Sequence, residues 1–371
     1  MRYNILITCF LLIIPLLACG GNPTPTTSPR AIATPTNTPI STPITELAPG
    51  VNLLVNLTGE ATLKRAGWSD YHPTGFGMVL ERGDLLKLSS GAEAQVLCDE
   101  LTLWSVPSGA PAGLNNGCPQ PPEPALIRFG GKIGGTRGGD ESIPYIISPR
   151  NTTILDEKPL LQWYPHDPNA TYTIRISGIK DWKKEGVTGN QLQYDGPILK
   201  AGQSYLLIVE TDDRVISSQD EGGIERNFKL ITETKRLELQ SQVNEIRTLK
   251  LTSPAEALIL AHLYAGHDVF SEAIDMLETA ITNGQTDPIF YYTLAELYRE
   301  SGLYLLALPH YETTLQLAQD NLELRAEAHA GLGEVYIALG DGAMAKEQLT
   351  KACEGYEVLG DVEILGKLNC P

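Results

Sequence analysis

Six histidines and six cysteines have the widest chemical reach in this 371-residue chain, and their spacing limits what they can do. His262 and His267 are five residues apart, which on a helix turns them to different faces and makes a poor metal pair. The remaining histidines are scattered. Neither His-Glu-x-x-His nor Gly-x-Ser-x-Gly occurs, so the zinc-protease pair and the nucleophile elbow are both missing. Gly130 to Asp140 holds six glycines, but a P-loop needs Gly-Lys-Ser/Thr after four residues and the run has none. It reads as a flexible connector. Cys98 with Cys118, and Cys353 with Cys370, form neighbouring pairs without the tight spacing of a zinc site. In an exported chain they read as two local disulfides, each closing a loop worth about 3 kcal/mol. The expectation is a non-enzyme with no cofactor and no metal.

Export is indicated by the first residues. Met1-Arg2 is followed by a largely apolar run from Ile5 to Ala18, too short for a bilayer that needs about 20 residues. The run closes with Leu16-Leu17-Ala18-Cys19-Gly20, which resembles the bacterial lipobox. That resemblance implies cleavage of a signal peptide (1–18), diacylglycerol on the Cys19 thiol, and a membrane-anchored protein of the cell envelope facing the periplasm or exterior. Several acyl chains, at about 0.8 kcal/mol per buried methylene, anchor firmly. Seven prolines and eight threonines between Asn22 and Pro49 cannot build a core, so 19–49 is a lipidated cysteine plus an extended spacer.

Short apolar runs punctuated by glycine begin at Val51 and predict antiparallel strands. Gly77-Met-Val-Leu-Glu-Arg-Gly83-Asp84-Leu-Leu-Lys-Leu resembles the FecR-type domain, implying a small β fold over 50–128; Gly83-Asp84 reads as a turn. A glycine-rich linker (129–142) follows. Over 143–232, Pro159-Leu-Leu-Gln-Trp163, the alternating Tyr172-Thr-Ile-Arg-Ile-Ser, and Gly202 before Tyr205-Leu-Leu-Ile-Val-Glu resemble the immunoglobulin or fibronectin type III sandwich. Trp163 is expected in its core. Trp182, beside two lysines, stands between a packing role and stacking on a sugar.

The last third carries a repeat. Tyr264 precedes Ala273 by nine residues, and Tyr298–Ala307 and Tyr336–Ala345 repeat the spacing at offsets of 34 and 38. Stacked helical hairpins have this period, with small residues where helices cross closely. The copies Leu260-Ala261, Tyr264, Asp268, Ala273, Leu277, Ala280; Leu294-Ala295, Tyr298, Gly302, Ala307, Tyr311; and Leu332-Gly333, Tyr336, Gly340, Ala345, Leu349, Ala352 resemble the tetratricopeptide family. The predicted architecture is therefore multidomain: two small all-β domains, a linker helix (233–252) built on Leu237, Val243, Ile246 and Leu249, and an all-α solenoid (253–371) with a terminal cap. Ser253-Pro254 is the expected helix start.

By resemblance, the first helix of each hairpin lines an inner groove. This places His262, Tyr292, Glu296, Arg299, Glu327 and Glu334 there as partner-binding residues. Net charge is −17, and residues 254–371 hold 19 acidic against 5 basic side chains. So acidic a surface repels phosphate backbones, which excludes nucleic acid and favours a neutral or cationic contact. The function expected is a lipid-anchored envelope scaffold whose repeats bind another protein; the alternative is a cell-wall or glycan binder acting through the β domains.

Overall fold

The computed structural model describes residues 50–121, 124–126, 128–129, 141–179, 182–221 and 226–370. The signal peptide, Cys19, the spacer and the glycine run 130–140 lie outside the described residues.

The first β module threads β1 Asn52–Thr58, β2 Ala61–Lys64, β3 His72–Thr74, β4 Val79–Leu80, β5 Leu85–Leu88, β6 Glu93–Leu97, β7 Leu103–Ser105 and β8 Ala112–Gly113, then a single helical turn, α1 Leu114–Gly117. Two four-stranded sheets, ordered β4-β1-β6-β7 and β3-β2-β5-β8, share a core of Leu54, Leu63, Leu86 and Val96. Gly83-Asp84 is indeed a turn, with Gly83 at φ +98°, and it carries the chain from one sheet to the other. Cys98 and Cys118 are disulfide-bonded. Strand β1 departs from the alternation of a half-buried strand: Asn52 to Val55 are all buried. Leu54 faces the module's own core, whereas Leu53 and Val55 join a second cluster with Leu239, Ile246, Ile259 and Leu263 of the helices. A strand covered on both faces reads as a continuous apolar run.

The second module contains β9 Tyr145–Ser148, β10 Thr152–Ile154, β11 Leu160–Tyr164, β12 Tyr172–Ser177, β13 Lys183–Val187, β14 Gln191–Gln193, β15 Ser204–Thr211 and β16 Phe228–Leu230. Its sheets, β10-β16-β15-β12-β13 and β14-β11-β9, enclose Trp163, Tyr172, Ile174, Leu207 and Phe228, so Trp163 is the core residue its strand position predicts. The pairing of β10 with β16 is parallel, the others antiparallel.

Helix α2 Glu233–Thr248 joins the sheets to the repeats. It buries Leu239, Val243 and Ile246, while Leu237 is 58% exposed. Residues 239, 243 and 246 share one helical stripe (i, i+4, i+7), and position 237 lies off it. The hairpins are α3 Ser253–Gly266 with α4 Phe270–Thr282, α5 Pro288–Glu300 with α6 Tyr304–Leu317, and α7 Leu322–Leu339 with α8 Gly342–Leu359; α9 Val362–Lys367 caps them. Helix α3 starts at Ser253 with Pro254 in its first turn, and the cap position falls on Thr252 instead, without a side-chain bond. Ala273, Ala307 and Ala345 are buried at the crossings, and the turn residues Asp268, Gly302 and Gly340 share positive φ, at +59°, +72° and +82°. Gly331 has a steric role: a Cβ there would stand 2.4 Å from the Tyr311 ring. The Cys353–Cys370 disulfide pins α9 to α8.

Candidate functional site

The six residues expected in a groove fall on alternate helices: His262 on α3, Tyr292, Glu296 and Arg299 on α5, and Glu327 and Glu334 on α7. Arg299, Glu296 and Glu334 meet as one ion-pair network. Arg299 pairs with Glu296 at 2.7 Å, Glu300 at 2.8 Å and Glu334 at 2.9 Å. Glu296 also accepts the Tyr311 hydroxyl, and Tyr292 packs edge-on against Tyr311 with ring centroids 6.3 Å apart. Burial alone would lower the Arg299 pKa, but Glu296, Tyr311 and Glu300 outweigh it and the guanidinium is held charged. Burial raises the Tyr292 phenol well above its ordinary value, assisted by Glu296 and Glu327. It raises Glu334 as well, against the pull of Arg299. Glu327 is pushed up to about 8, first by burial and then by Glu323. His262 is 6% exposed, lies 5.3 Å from the Phe129 ring, and is pushed down to about 4 by burial and then by Arg128.

The groove is not open. The first β module sits in it, through residues that local sequence patterns do not mark. Arg65, at the end of β2, places Nε on Glu323 of α7, donates to Asp84 at 2.9 Å and to the Val79 carbonyl at 2.9 Å. Arg65 is 12% and Asp84 2% exposed in their side chains. Asp84 of the Gly-Asp turn thus has a job beyond the turn: it holds Arg65 against α7. Trp68 stacks near Arg65 and donates to Asp361 at 3.1 Å, packing on Ala326, Ala352 and Tyr356. Phe76 stacks on Phe290 at 6.3 Å, and Asn321 donates to the Met78 sulfur at 3.5 Å. Between them Gly77, at φ +78°, passes so close to the groove floor that a Cβ would stand 2.7 Å from Ile289 and from Leu258.

The second module docks on the repeat turns. Arg150, fully buried, forms a two-pronged pair with Glu221 at 2.7 and 3.0 Å and donates to the Ser301 carbonyl at 2.9 Å. The Thr153 amide and the Thr152 hydroxyl donate to the Asp268 carbonyl at 2.7 and 3.0 Å. Trp182 packs edge-on against Tyr194 and donates to Asp195 at 3.1 Å, so it belongs to the module's packing and not to a free stacking platform.

Where module and groove meet, a cavity of about 110 Å³ remains. His262, Tyr292, Glu296 and Glu327 line it from the repeats, and Arg65, Met78, Arg128 and Phe129 from the other side. Among the described residues, no group of three or more His, Cys, Asp or Glu could hold a metal ion, and no helix is long and apolar enough to cross a membrane.

The tetratricopeptide repeat family matches residues 288–357, the second and third hairpins. Helices α5 to α8 therefore carry tetratricopeptide repeats. A solved structure, YrrB, described as a TPR protein with an unusual peptide-binding site, is similar at 21% identity over 36% of this chain and 76% of its own, with a TM-score of 0.24. No curated protein matches the chain.

Proposed function

We propose that this chain is a non-catalytic protein-binding scaffold of the bacterial cell envelope, tethered by a lipid on Cys19, with a FecR-type domain and an immunoglobulin-like domain ahead of its repeats. The observation that carries this reading is that the repeat groove already holds protein. The first β module offers it an arginine, an aromatic ring and a thioether, and the groove answers with Glu323, Phe290 and Asn321. That is the neutral-to-cationic contact chemistry an acidic groove favours. The covered part of the groove serves the chain itself. An external partner engages the uncovered end around Glu334, whose side chain is 41% exposed, and Ile337 one turn on, 59% exposed.

The test is crosslinking in native cells with Glu334→Gln/Ile337→Asp beside the unaltered chain. Severalfold loss of the crosslinked partner is expected, whereas undiminished recovery would remove the groove from the reading. For the tether, Cys19→Ser is expected to leave the membrane fraction; retention there would refute lipid anchoring.

A further inference from the structure

The cavity at the seam has a lining that the protein leaves partly unmatched. Arg65 is matched by Glu323, Asp84 and the Val79 carbonyl, while Arg128, 46% exposed in its side chain, pairs with Glu81 at 2.6 Å. Glu296 is taken by Arg299 and Tyr311. Three groups are left over. Both ring nitrogens of His262 are buried and have no hydrogen-bond partner. Among the described residues nothing hydrogen-bonds the Glu327 carboxyl or the Tyr292 hydroxyl. A buried polar group is seldom left as the His262 ring is, and its place beside a space that the partly exposed Glu327 and Tyr292 also line points to an occupant.

Their chemistry selects that occupant. The imidazole is uncharged at neutral pH and presents one acceptor nitrogen; the phenol oxygen and the ionised carboxyl also accept. A primary ammonium group has three N–H donors and no acceptor, so it complements this trio. The rings of Phe129 and Tyr292 add walls that attract a cation. An anion would meet the Glu296 and Glu327 carboxyls, with Arg65 already matched and Arg128 paired with Glu81. Since a cavity of about 150 Å³ admits benzene, one of about 110 Å³ has room for about four or five heavy atoms. We infer that this cavity binds a small primary ammonium ion, seated on Glu327, His262 and Tyr292. The inference does not rest on the partner surface around Glu334, which meets the cavity only through Arg299 and Glu296.

Binding couples to a proton. Burial holds Glu327 largely protonated at pH 7 in the empty cavity, with Glu323, Arg65, Arg128 and Glu296 as its charged neighbours. The arriving ammonium keeps its own proton, and the carboxyl proton leaves to solvent as the ion pair forms. Because burial raises the Glu327 pKa, binding is expected to release a proton from it, less of one as pH rises.

Calorimetric titration of the full chain with ethylammonium chloride, at constant ionic strength and in two buffers of different ionisation enthalpy, reads both events. Saturable one-to-one binding with net proton release is expected, and neither with ethanol. Glu327→Gln is expected to weaken binding at least about tenfold and abolish the proton release. Tyr292→Phe, which keeps the ring, is expected to weaken it by less. Unfolding midpoints near that of the unaltered chain will show that both variants fold. N-acetyl-lysinamide tells the sources apart: equal binding assigns the site to a lysine side chain, and binding of ethylammonium alone to a free amine. Equal binding of ethanol, undiminished binding by Glu327→Gln, or no saturation with either amine would overturn the inference.

Discussion

Arg65→Ala removes the guanidinium standing between Asp84 and Glu323 and leaves two carboxyls, 2% and 5% exposed, facing each other without a cation. Breaking a buried pair from one side costs about 3–5 kcal/mol. The chain can limit that loss by protonating one carboxyl, which at pH 7 costs about 4 kcal/mol for a group with an ordinary pKa near 4.3. Burial already raises both pKa values, with Arg65 opposing it, so its loss raises them further. The sign of the pH dependence follows. A carboxyl whose folded pKa lies above its unfolded one keeps its stability below the unfolded pKa and loses it as pH rises through the folded value. The deficit of Arg65→Ala should therefore be near 4 kcal/mol at pH 7 and shrink to roughly 1 kcal/mol by pH 5. Urea unfolding followed by tryptophan fluorescence measures it, since Trp68 lies 5.9 Å from the Arg65 guanidinium. Arg65→Met/Asp84→Asn/Glu323→Gln, which removes every charge together, should come within about 2 kcal/mol of the unaltered chain. A deficit under about 1 kcal/mol at pH 7, or one flat between pH 5 and 8, would refute the reasoning.

Gly77→Ala should destabilise by about 2–4 kcal/mol, because positive φ and overpacking against Ile289 and Leu258 act together. Gly91→Ala, at φ +80° with open space around it, should show only the conformational part, about 1 kcal/mol, in the same urea titration. Cys353→Ser should cost about 3 kcal/mol and raise amide exchange selectively in α9, read by hydrogen-exchange mass spectrometry; uniform exchange across α7 to α9 would contradict a local pin. Arg150→Met should cost about 3 kcal/mol, since it leaves the buried Glu221 carboxylate only Arg226 at 3.4 Å and strips the Ser301 carbonyl of its donor, and adding Glu221→Gln should restore part of the loss in thermal unfolding.

Helical register was enough to bring Tyr292, Glu296, Arg299, Glu327 and Glu334 to one face, because a side chain's direction on a helix is settled by its neighbours one turn away. Whether that face is open depends on Arg65 meeting Glu323 across 258 residues and Trp68 meeting Asp361 across 293, and no local period encodes either. The sequence does bear a trace of the seat. Leu53-Leu-Val55 is apolar at consecutive positions, so one sheet face cannot bury all of it, and Gly75-Phe-Gly-Met78 puts a ring and a thioether in a turn where a solvated module would carry polar residues. Both runs mark surfaces awaiting a second layer. The acidic surplus has the same origin: Glu323 is an excess charge within the repeats and a matched one once Arg65 arrives. Reading the repeats by themselves makes their groove look vacant and repulsive, when part of that charge exists to hold the preceding module. What the seated module leaves, Glu327 with His262 and Tyr292 inside and the half-exposed Glu334 beside Ile337 outside, is a smaller and chemically sharper set than the groove taken whole.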